Sequence, residues 1–352
     1  MAKKKKKSGL KKLLIAGAIL VLIGGIVSSY VAYTTIYKPN VNLKGKKSTY
    51  IYIPTGANFE TVKSLLYTAN LIDNRSTFEW LAERKNYTRK VKAGKYFINT
   101  GLNNNQLIDM LRSGMQEPVR VTFTFARTKR ELAAQIHEQL EANEEVLLNL
   151  LNDDSFLKKY NFSSENSLCL FIPNTYEFYW NTSAEKFIEK MAAEYKKFWT
   201  NERKRKAEQV GLTQAEVSVL ASIVQQESFI DVEKPIIAGV YLNRIRIKMP
   251  LQADPTLIWA VGDFSIKRVT GKYFSIDSPY NTYKNLGLPP GPICLPSKVS
   301  IDAVLNFKKH NFIYFCARED FSGYSNYASN YEQHMRNARK YQKALNQRKI
   351  TN

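Results

Sequence analysis

A single carboxylate, Glu227, ends an apolar helical pattern in the stretch Thr213–Ile230, TQAEVSVLASIVQQESFI. An apolar stripe at helical spacing precedes it, formed by Val217, Leu220, Ile223 and Val224. Because burial disfavours the charged form of a carboxyl group, this position favours a protonated glutamic acid. A general acid for glycosidic bond cleavage needs that protonated form near neutral pH. Taken alone, the stretch is equally compatible with a glutamate that points to water at a frayed helix end.

The helix that carries this glutamate has a defined start. Thr213 and Glu216 have the spacing of a capping box, in which each side chain accepts a hydrogen bond from the other residue's backbone N–H. The helix is therefore expected to begin at Thr213 and to carry Glu227 near its carboxyl end.

Polar and aromatic residues follow on loops that contain proline and glycine. They lie in the strings Leu251–Thr256 (LQADPT), Ser278–Tyr283 (SPYNTY) and Gly287–Ile293 (GLPPGPI). Such residues suit a sugar-binding cleft, since amides and carboxylates bind hydroxyl groups and flat rings cover sugar faces. The structural alternatives are a helix cap for Asp254 and a turn former for Asn281.

Together and in this order, the strings ASIVQQES, NRI, LQADPT, YNTY and GLPPGPI closely resemble the YceG-like endolytic murein transglycosylases. The resemblance covers most of the chain and implies that Glu227 is the catalytic glutamate. It also implies a set of residues that line the substrate cleft: Gln252, Asp254, Tyr280, Asn281, Thr282 and Tyr283. The substrate it implies is the nascent peptidoglycan glycan strand, cleaved outside the inner (cytoplasmic) membrane near the peptidoglycan synthases, which are candidate partners.

The reaction implied by the resemblance is not hydrolysis and needs no metal and no cofactor. One glutamic acid protonates the oxygen between N-acetylmuramic acid and N-acetylglucosamine. The resulting carboxylate then helps the muramyl C6 hydroxyl attack C1, which leaves a 1,6-anhydro end. Two alternatives stay open: a hydrolytic muramidase that uses Glu227 with Asp254, and a non-catalytic scaffold that binds glycan and recruits wall synthases.

Two strings depart from the family pattern. Ser167-Leu168-Cys169 stands where the family often has a Glu-Gly pair, shortly before Pro173-Asn174-Thr175-Tyr176. Ser325-Asn326-Tyr327 stands where the family has His-x-Phe. The resemblance therefore assigns no site role at these two places, while Glu227 is unaffected.

Composition narrows the classes of partner. The chain has a formal net charge of +21, which suits an anionic polymer or a membrane surface. No signature of a nucleic-acid-binding module is present, so nucleic acid is not an expected partner. The 3 cysteines and 3 histidines are scattered, which predicts free thiols and argues against a disulfide framework or a metal site.

The N-terminal region predicts a membrane anchor. Leu13–Tyr37 contains no charged residue, and a helix over Leu13–Tyr33 could span the ~30 Å hydrocarbon core. The lysine cluster before it predicts a cytoplasmic N-terminus and places the region after Lys38 outside. A cleaved signal peptide is the alternative, but Tyr30–Tyr33 makes a poor cleavage site. The sequence therefore predicts a retained single-pass helix.

The remaining pattern predicts an α+β fold in five segments. These are a basic cytoplasmic tail (1–12), a transmembrane helix (13–37), a polar linker (38–47), a small α+β subdomain (48–117) and a larger α+β catalytic domain (118–352). The resemblance makes the 48–117 subdomain LysM-like, with glycan binding or a spacer role as its two uses.

Local signals place several elements. In the subdomain, a strand is predicted at Tyr50–Ile53, with helices after Asn58, over Thr77–Glu83 and over Asn105–Arg112. In the catalytic domain, the predicted elements are a strand from Val119 to Phe125, a helix after Thr128, a helix over Glu144–Leu151 and a turn-like segment at Pro173–Glu177. Further along, the sequence predicts a long helix that starts at Thr182 or Ser183 and runs toward Trp199, charged surface at Glu202–Lys206 and a basic helix at Tyr331–Gln347.

Overall fold

The computed structural model describes residues 3–266 and 268–348, so the first two residues of the predicted basic tail lie outside the described part. The described residues form two compact units, one of residues 3–119 with 177–181 and the other of residues 120–176 with the described residues from 182 to 348. The division between Val119 and Arg120 falls inside a strand. Mixed helix and sheet in both units confirm the α+β class.

The first unit begins with one long helix, α1 (Lys3–Tyr37), which extends back into the predicted basic tail. Within it, Gly9–Tyr37 is long and apolar enough to cross a membrane, with a mean hydropathy of 2.3. The rest of the unit comprises β1 (Ser48–Ile53), α2 (Phe59–Thr68), α3 (Arg75–Arg84), a 3-10 turn (Tyr87–Arg89), β2 (Gly94–Asn99) and α4 (Asn104–Ser113). Strands β1 and β2 pair antiparallel, with Ser48 opposite Asn99 and Ile53 opposite Gly94.

Side-chain caps start α2, α3 and α4, of which the sequence predicts the one at Asn58. Asn58 and Asn74 accept from the backbone N–H groups of Thr61 and Thr77, which begins α2 and α3. Asn103 forms a full capping box at the start of α4, and Gly114, with a φ of 77°, ends that helix.

Residues 38–47 were predicted to be a polar linker, but part of this segment packs into the core of the first unit. Val41 and Leu43 are buried there. The buried amide of Asn40 donates to the carbonyl oxygen of Asn74 and to the Asn104 side chain. Two apolar side chains and one fully bonded amide therefore hold the segment against the unit, and the polar residues around them hid this from the sequence pattern.

The second unit contains the remaining helices, one whole two-stranded sheet and part of another, whose strands each run on into the first unit. Its helices are α5 (Lys129–His137), α6 (Glu144–Leu150), α7 (Asp154–Lys158), α8 (Ala184–Phe198), α9 (Asn201–Val210), α10 (Gln214–Glu227), α11 (Lys234–Arg246), α12 (Asp254–Val261), α13 (Gly271–Phe274), α14 (Lys298–Leu305) and α15 (Tyr331–Gln347). Strand β3 (Pro118–Phe123) pairs with β4 (Asn174–Tyr179), and β5 (Tyr314–Ala317) pairs with β6 (Ser325–Ala328). A 3-10 turn covers Ser167–Leu170.

Helix α10 lies at the centre of this unit. It begins with the predicted capping box, in which Thr213 N donates to Glu216 at 2.7 Å and Glu216 N donates back at 3.2 Å. The helix was expected to bury one apolar stripe, whereas every residue from Val217 to Val224 is buried. Helices α9, α11, α12 and α14 pack around it. Its two buried serines, Ser218 and Ser222, donate to carbonyl oxygens of the helix itself.

One local prediction in this unit was wrong. The turn-like segment Pro173–Glu177 is largely strand β4, because Tyr176 and Phe178 alternate inward and are buried there. The charged residues Glu202–Lys206 lie at the surface, as predicted, and they form part of helix α9, which Thr200 caps. The described cysteines are free thiols, with Cys169 and Cys294 buried, as the sequence predicts.

Candidate active site

Glu227 is the last residue of α10 and lies at the open end of an otherwise buried helix. The helix stops there because Ser228 adopts extended backbone angles, with φ −146° and ψ 135°. Glu227 is only partly exposed. The end of the helix thus brings a carboxyl group out of the core without surrounding it fully with water.

Tyr241 of helix α11 is the hydrogen-bond partner of this carboxyl group. Its hydroxyl donates to Glu227 Oε1 at 2.6 Å, and its side chain is 1% exposed. A buried phenol that donates to one oxygen fixes the orientation of the carboxyl group and leaves the second oxygen available.

Burial is the main cause that raises the pKa of Glu227 to about 7, from an ordinary value of 4.5. The negative charge of Asp254 also raises it, whereas the Tyr241 hydrogen bond and the positive charge of Arg244 lower it. A carboxyl group with this pKa holds its proton in a large fraction of molecules near neutral pH and can also take it back. Both halves of general acid–base catalysis are therefore available from one residue.

Arg244 lies one helical turn after Tyr241 on α11 and carries a buried positive charge. Its Nε donates to the carbonyl oxygen of Ile313 at 2.6 Å, and its Nη1 donates to that of Leu251. Because guanidinium groups stay charged in proteins, these backbone contacts hold a fixed cation near Glu227. The cation favours the carboxylate that would form when Glu227 gives up its proton.

Asp254 is the first residue of α12 and forms a second carboxylate in the site. Tyr283 donates its hydroxyl to Asp254 Oδ1 at 2.5 Å. Helix α12 has no side-chain cap, so the alternative of a capping role for Asp254 does not describe the structure. Asp254 is exposed, whereas burial and this hydrogen bond raise the pKa of Tyr283. The two residues form a polar pair beside Glu227.

Asn281 and Thr282 build the loops of the site from within. Both are buried. The Asn281 amide donates to the carbonyl oxygens of Phe274 and Ile276, while its oxygen accepts from the backbone N–H of Tyr283. This is the turn-forming role that was the alternative for Asn281.

Thr282 joins the loop before α12 to the Ser278–Tyr283 loop. Its hydroxyl accepts from Ala253 N at 3.0 Å and bonds to the Thr256 hydroxyl at 2.9 Å. Its carbonyl oxygen accepts from Gln252 N at 3.0 Å. These contacts set the relative positions of Asp254 and Tyr283.

Gln252 and Tyr280 complete the set of sequence-predicted residues. The Gln252 side chain is exposed, on a backbone with a positive φ of 52°. Tyr280 is buried, and its ring packs against Trp259 with the centroids 3.9 Å apart. The charges of Glu227, Asp254 and Tyr283 thus interact with one another. Asn281 and Thr282 instead hold the loops in place through buried hydrogen bonds. Tyr280 is buried against Trp259.

Gln225 and Gln226 of α10 bind the segment that directly follows the proline-rich string Gly287–Ile293. Gln225 accepts from Ser297 N at 2.6 Å and donates to Leu295 O at 3.3 Å. Gln226 donates to Cys294 Sγ at 3.5 Å. The glutamines before Glu227 therefore attach the loop to the end of the helix.

The two strings that differ from the family pattern, 167–169 and 325–327, form hydrogen bonds within the protein. Ser167 is buried and donates to the carbonyl oxygens of Leu151 and Ser164. In the other string, Ser325 N and the Tyr327 hydroxyl both donate to Glu233, at 2.8 Å each.

Sequence reasoning missed Tyr241 and Arg244. Both belong to the string Gly239–Arg244, and their spacing of three residues places them on one face of a helix. A tyrosine and an arginine on one helix face, just after a candidate catalytic helix, are the signal that could have identified them.

The fold and the site define an α+β protein with a general-acid candidate at the end of a buried helix. The profile of the YceG-like family matches residues 51–340. An endolytic murein transglycosylase of Streptococcus pneumoniae serotype 2 (strain D39) is 30% identical over 336 residues, which cover 84% of this chain and 59% of that protein. The endolytic murein transglycosylase of Bacillus subtilis (strain 168) is 30% identical over 299 residues, covering 80% of this chain and 81% of the relative.

A solved structure gives the same assignment. The crystal structure of a yceG-like protein from Listeria monocytogenes matches with a TM-score of 0.56 and 27% identity, and covers 83% of this chain and 99% of that one. The chain therefore belongs to the YceG-like family. It spans 59% of the length of the Streptococcus relative.

Removal of the Tyr241 hydroxyl tests the electrostatics of the site. The Tyr241 hydrogen bond lowers the pKa of Glu227, so Tyr241→Phe should raise that pKa above about 7. The measurement is a pH titration of ¹³C-labelled glutamate carboxyl groups by NMR on the full chain in detergent, with Glu227→Gln identifying the signal. Tyr176→Phe, which removes a buried tyrosine bond to Ile172 O, is the matched control. An unchanged or lowered pKa in Tyr241→Phe would contradict the assignment.

Proposed function

We propose that this protein is a membrane-anchored lytic transglycosylase that cleaves the bond between N-acetylmuramic acid and N-acetylglucosamine within nascent peptidoglycan strands. The observation that carries the proposal is the partly buried Glu227 carboxyl group, hydrogen-bonded by Tyr241, with a pKa of about 7. The relatives named endolytic murein transglycosylases support the same substrate class.

In the proposed first step, Glu227 gives its proton to the oxygen that leaves C1. The C1–O bond breaks as that oxygen becomes a hydroxyl group, and positive charge develops at C1. Arg244 stabilises the new carboxylate, and Tyr241 keeps it oriented.

In the second step, the same carboxylate takes the proton of the muramyl C6 hydroxyl. The oxygen of that hydroxyl bonds to C1 and closes a 1,6-anhydro ring, which returns Glu227 to its protonated form. Protons and bonds balance, and no second acid is needed. Asp254, Tyr283 and Gln252 are proposed to bind the sugar chain beside the reacting bond.

A hydrolytic muramidase is the second candidate function, because the charge of Asp254 acts on Glu227. In that reaction a water oxygen, activated or delivered with the help of Asp254, ends on C1 and leaves a reducing sugar. The product end therefore separates the two reactions. A non-catalytic scaffold would yield neither product.

Glu227→Gln should abolish cleavage of uncrosslinked glycan, because glutamine keeps the size of the side chain but cannot transfer a proton. General acid–base catalysis contributes roughly 10²–10⁴-fold, so a loss of at least that size is expected. Mass spectrometry of the products should show 1,6-anhydro ends with the unaltered protein. Glu216→Gln, at the other end of α10, is the matched control and should keep activity, since glutamine also completes a capping box.

The outcomes of this experiment are distinct. Reducing ends from the unaltered protein would favour the hydrolase. Near-normal turnover by a folded Glu227→Gln variant would remove the catalytic assignment. Glycan binding without any product would favour the scaffold.

The proposed localisation is the inner (cytoplasmic) membrane, with the N-terminus in the cytoplasm and the region after Lys38 outside. The apolar helix Gly9–Tyr37 and the lysines before its apolar part support this orientation. A protease added to wall-free cells should degrade the region after Lys38 and leave an N-terminal fragment in the membrane. Full protection of that region, or release of a mature chain that begins near Tyr33, would contradict the proposal.

The 48–117 subdomain is proposed to act as a LysM-like module that binds the glycan polymer. Its exposed aromatic side chains, Tyr50, Tyr52 and Trp80, are candidates for contact with sugar rings. Tyr50→Ala combined with Trp80→Ala should weaken cosedimentation of the full chain with purified glycan strands, while the chemical end of the product stays the same. Unchanged binding would leave the unit with a spacer role.

A further inference from the structure

The loop Ser228–Glu233 connects helix α10, which carries Glu227, to helix α11, which carries Tyr241. It leaves α10 directly after Glu227 and ends at the start of α11, the helix that carries Tyr241. Phe229 is 95% exposed and Val232 is 69% exposed. Burial of these apolar side chains therefore does not hold the loop, and another interaction must fix its shape.

Glu233 supplies that interaction. Its side chain is 2% exposed, and its Oε1 accepts from Ser325 N and from the Tyr327 hydroxyl, both at 2.8 Å. Its Oε2 faces the Ser228 hydroxyl at 3.5 Å. A buried carboxylate is costly unless hydrogen bonds satisfy it, so these donors strongly favour one position of Glu233.

Ser228, the residue directly after Glu227, is held by the same set of contacts. Its hydroxyl also accepts from the backbone N–H of Ile230 at 3.1 Å, which closes a tight turn. The backbone N–H of Glu233 donates to Ile230 O at 3.0 Å. The whole connection is thus short and bonded at both ends.

The β5–β6 hairpin forms the other side of the contact. Ser325 and Tyr327 belong to β6, and a Cβ atom added at Gly323 would lie 3.3 Å from Ile230 Cδ1. Phe315 of β5 packs edge-on against the Tyr241 ring, with centroids 6.0 Å apart. The hairpin therefore contacts both the loop after Glu227 and the tyrosine that bonds to Glu227.

We propose that Glu233 is a positioning residue, which acts through Tyr327 and Ser325 to hold the Ser228–Glu233 loop and so fixes the Glu227 carboxyl group against Tyr241. This assigns a role to the string Ser325-Asn326-Tyr327. The kinetic part of the test rests on the proposed function, whereas the exchange part does not.

Tyr327→Phe is the decisive variant. It removes one donor to Glu233 and keeps the ring that packs on Phe312, 5.6 Å away between centroids. Tyr176→Phe is the matched control, because it removes a buried tyrosine bond of 2.6 Å to Ile172 O elsewhere in the same unit. Glu233→Gln, which keeps the side-chain size, supplies the same measurements if Tyr327→Phe does not fold.

The first measurement is hydrogen exchange by mass spectrometry on the full chain in detergent. Peptides that cover residues 228–233 should exchange at least several-fold faster in Tyr327→Phe than in the unaltered protein or in Tyr176→Phe. The exposed tip of the loop is the same in all three proteins, so a difference in exchange rate reflects the loss of the hydrogen bond between Tyr327 and Glu233. Equal exchange in the two tyrosine variants would overturn the proposal.

The second measurement is the pH profile of glycan cleavage. Burial is the main cause of the raised pKa of Glu227, so a looser loop admits water and should move the alkaline limb to lower pH. The groups that face Glu227 stay in place in this variant: Tyr241, Arg244, Asp254 and Tyr283. Because misplacement of a reacting group is costly, kcat should fall roughly tenfold, with KM changed less than kcat.

A global loss of stability would lower activity without moving the alkaline limb, as expected for Tyr176→Phe. An unmoved limb together with normal kcat in Tyr327→Phe would overturn the positioning role even if exchange were faster. If the unaltered protein forms no product at all, the proposed function fails, and the exchange result alone decides whether Glu233 anchors the loop.

Discussion

The site depends on one constraint, which is that every residue of α10 from Val217 to Val224 is buried, directly before its polar last turn. A helix packed among four others has a fixed axis, so its last residue has a fixed place. Glu227 is that last residue, and the hydrogen bond from Tyr241 at 2.6 Å fixes the rotation of its carboxyl group. Burial then sets the protonation state, because desolvation disfavours the carboxylate. Position and acidity of the group come from the same packing.

Helix α11 connects Glu227 to other parts of the site. Tyr241 faces Glu227, while Arg244, one turn later, donates to the carbonyl oxygens of Leu251 and Ile313. Leu251 begins the string that leads to Asp254, and Ile313 precedes strand β5. The buried Arg244 cation therefore ties the loop that begins at Leu251 and the segment before β5 to the helix that carries Tyr241. Arg244 donates to uncharged carbonyl oxygens at both contacts, so these contacts do not neutralise its charge. That charge therefore acts on Glu227.

Local signals predicted much of the fold, and long-range contacts account for what was missed. The capping box at Thr213 depends only on neighbouring residues, and so its helix start was predictable. The strand at Asn174–Tyr179 and the packed segment with Val41 depend on partners far along the chain, which no local pattern reveals. The same distinction holds in the site. Glu227 was identified by its own helix, whereas the buried, scaffolding role of Thr282 follows from its bonds to Ala253 and Thr256, which lie 29 and 26 residues earlier in the chain.

The two carboxyl groups of the site differ because their surroundings differ. Asp254 is exposed and accepts a hydrogen bond from the Tyr283 hydroxyl. Glu227 is more deeply placed, and the negative charge of Asp254 adds to the effect of burial on its pKa. Different surroundings of this kind are the pattern by which two carboxyl groups take separate roles. Under the proposed function, Glu227 transfers the proton and Asp254 binds the sugar chain beside the reacting bond.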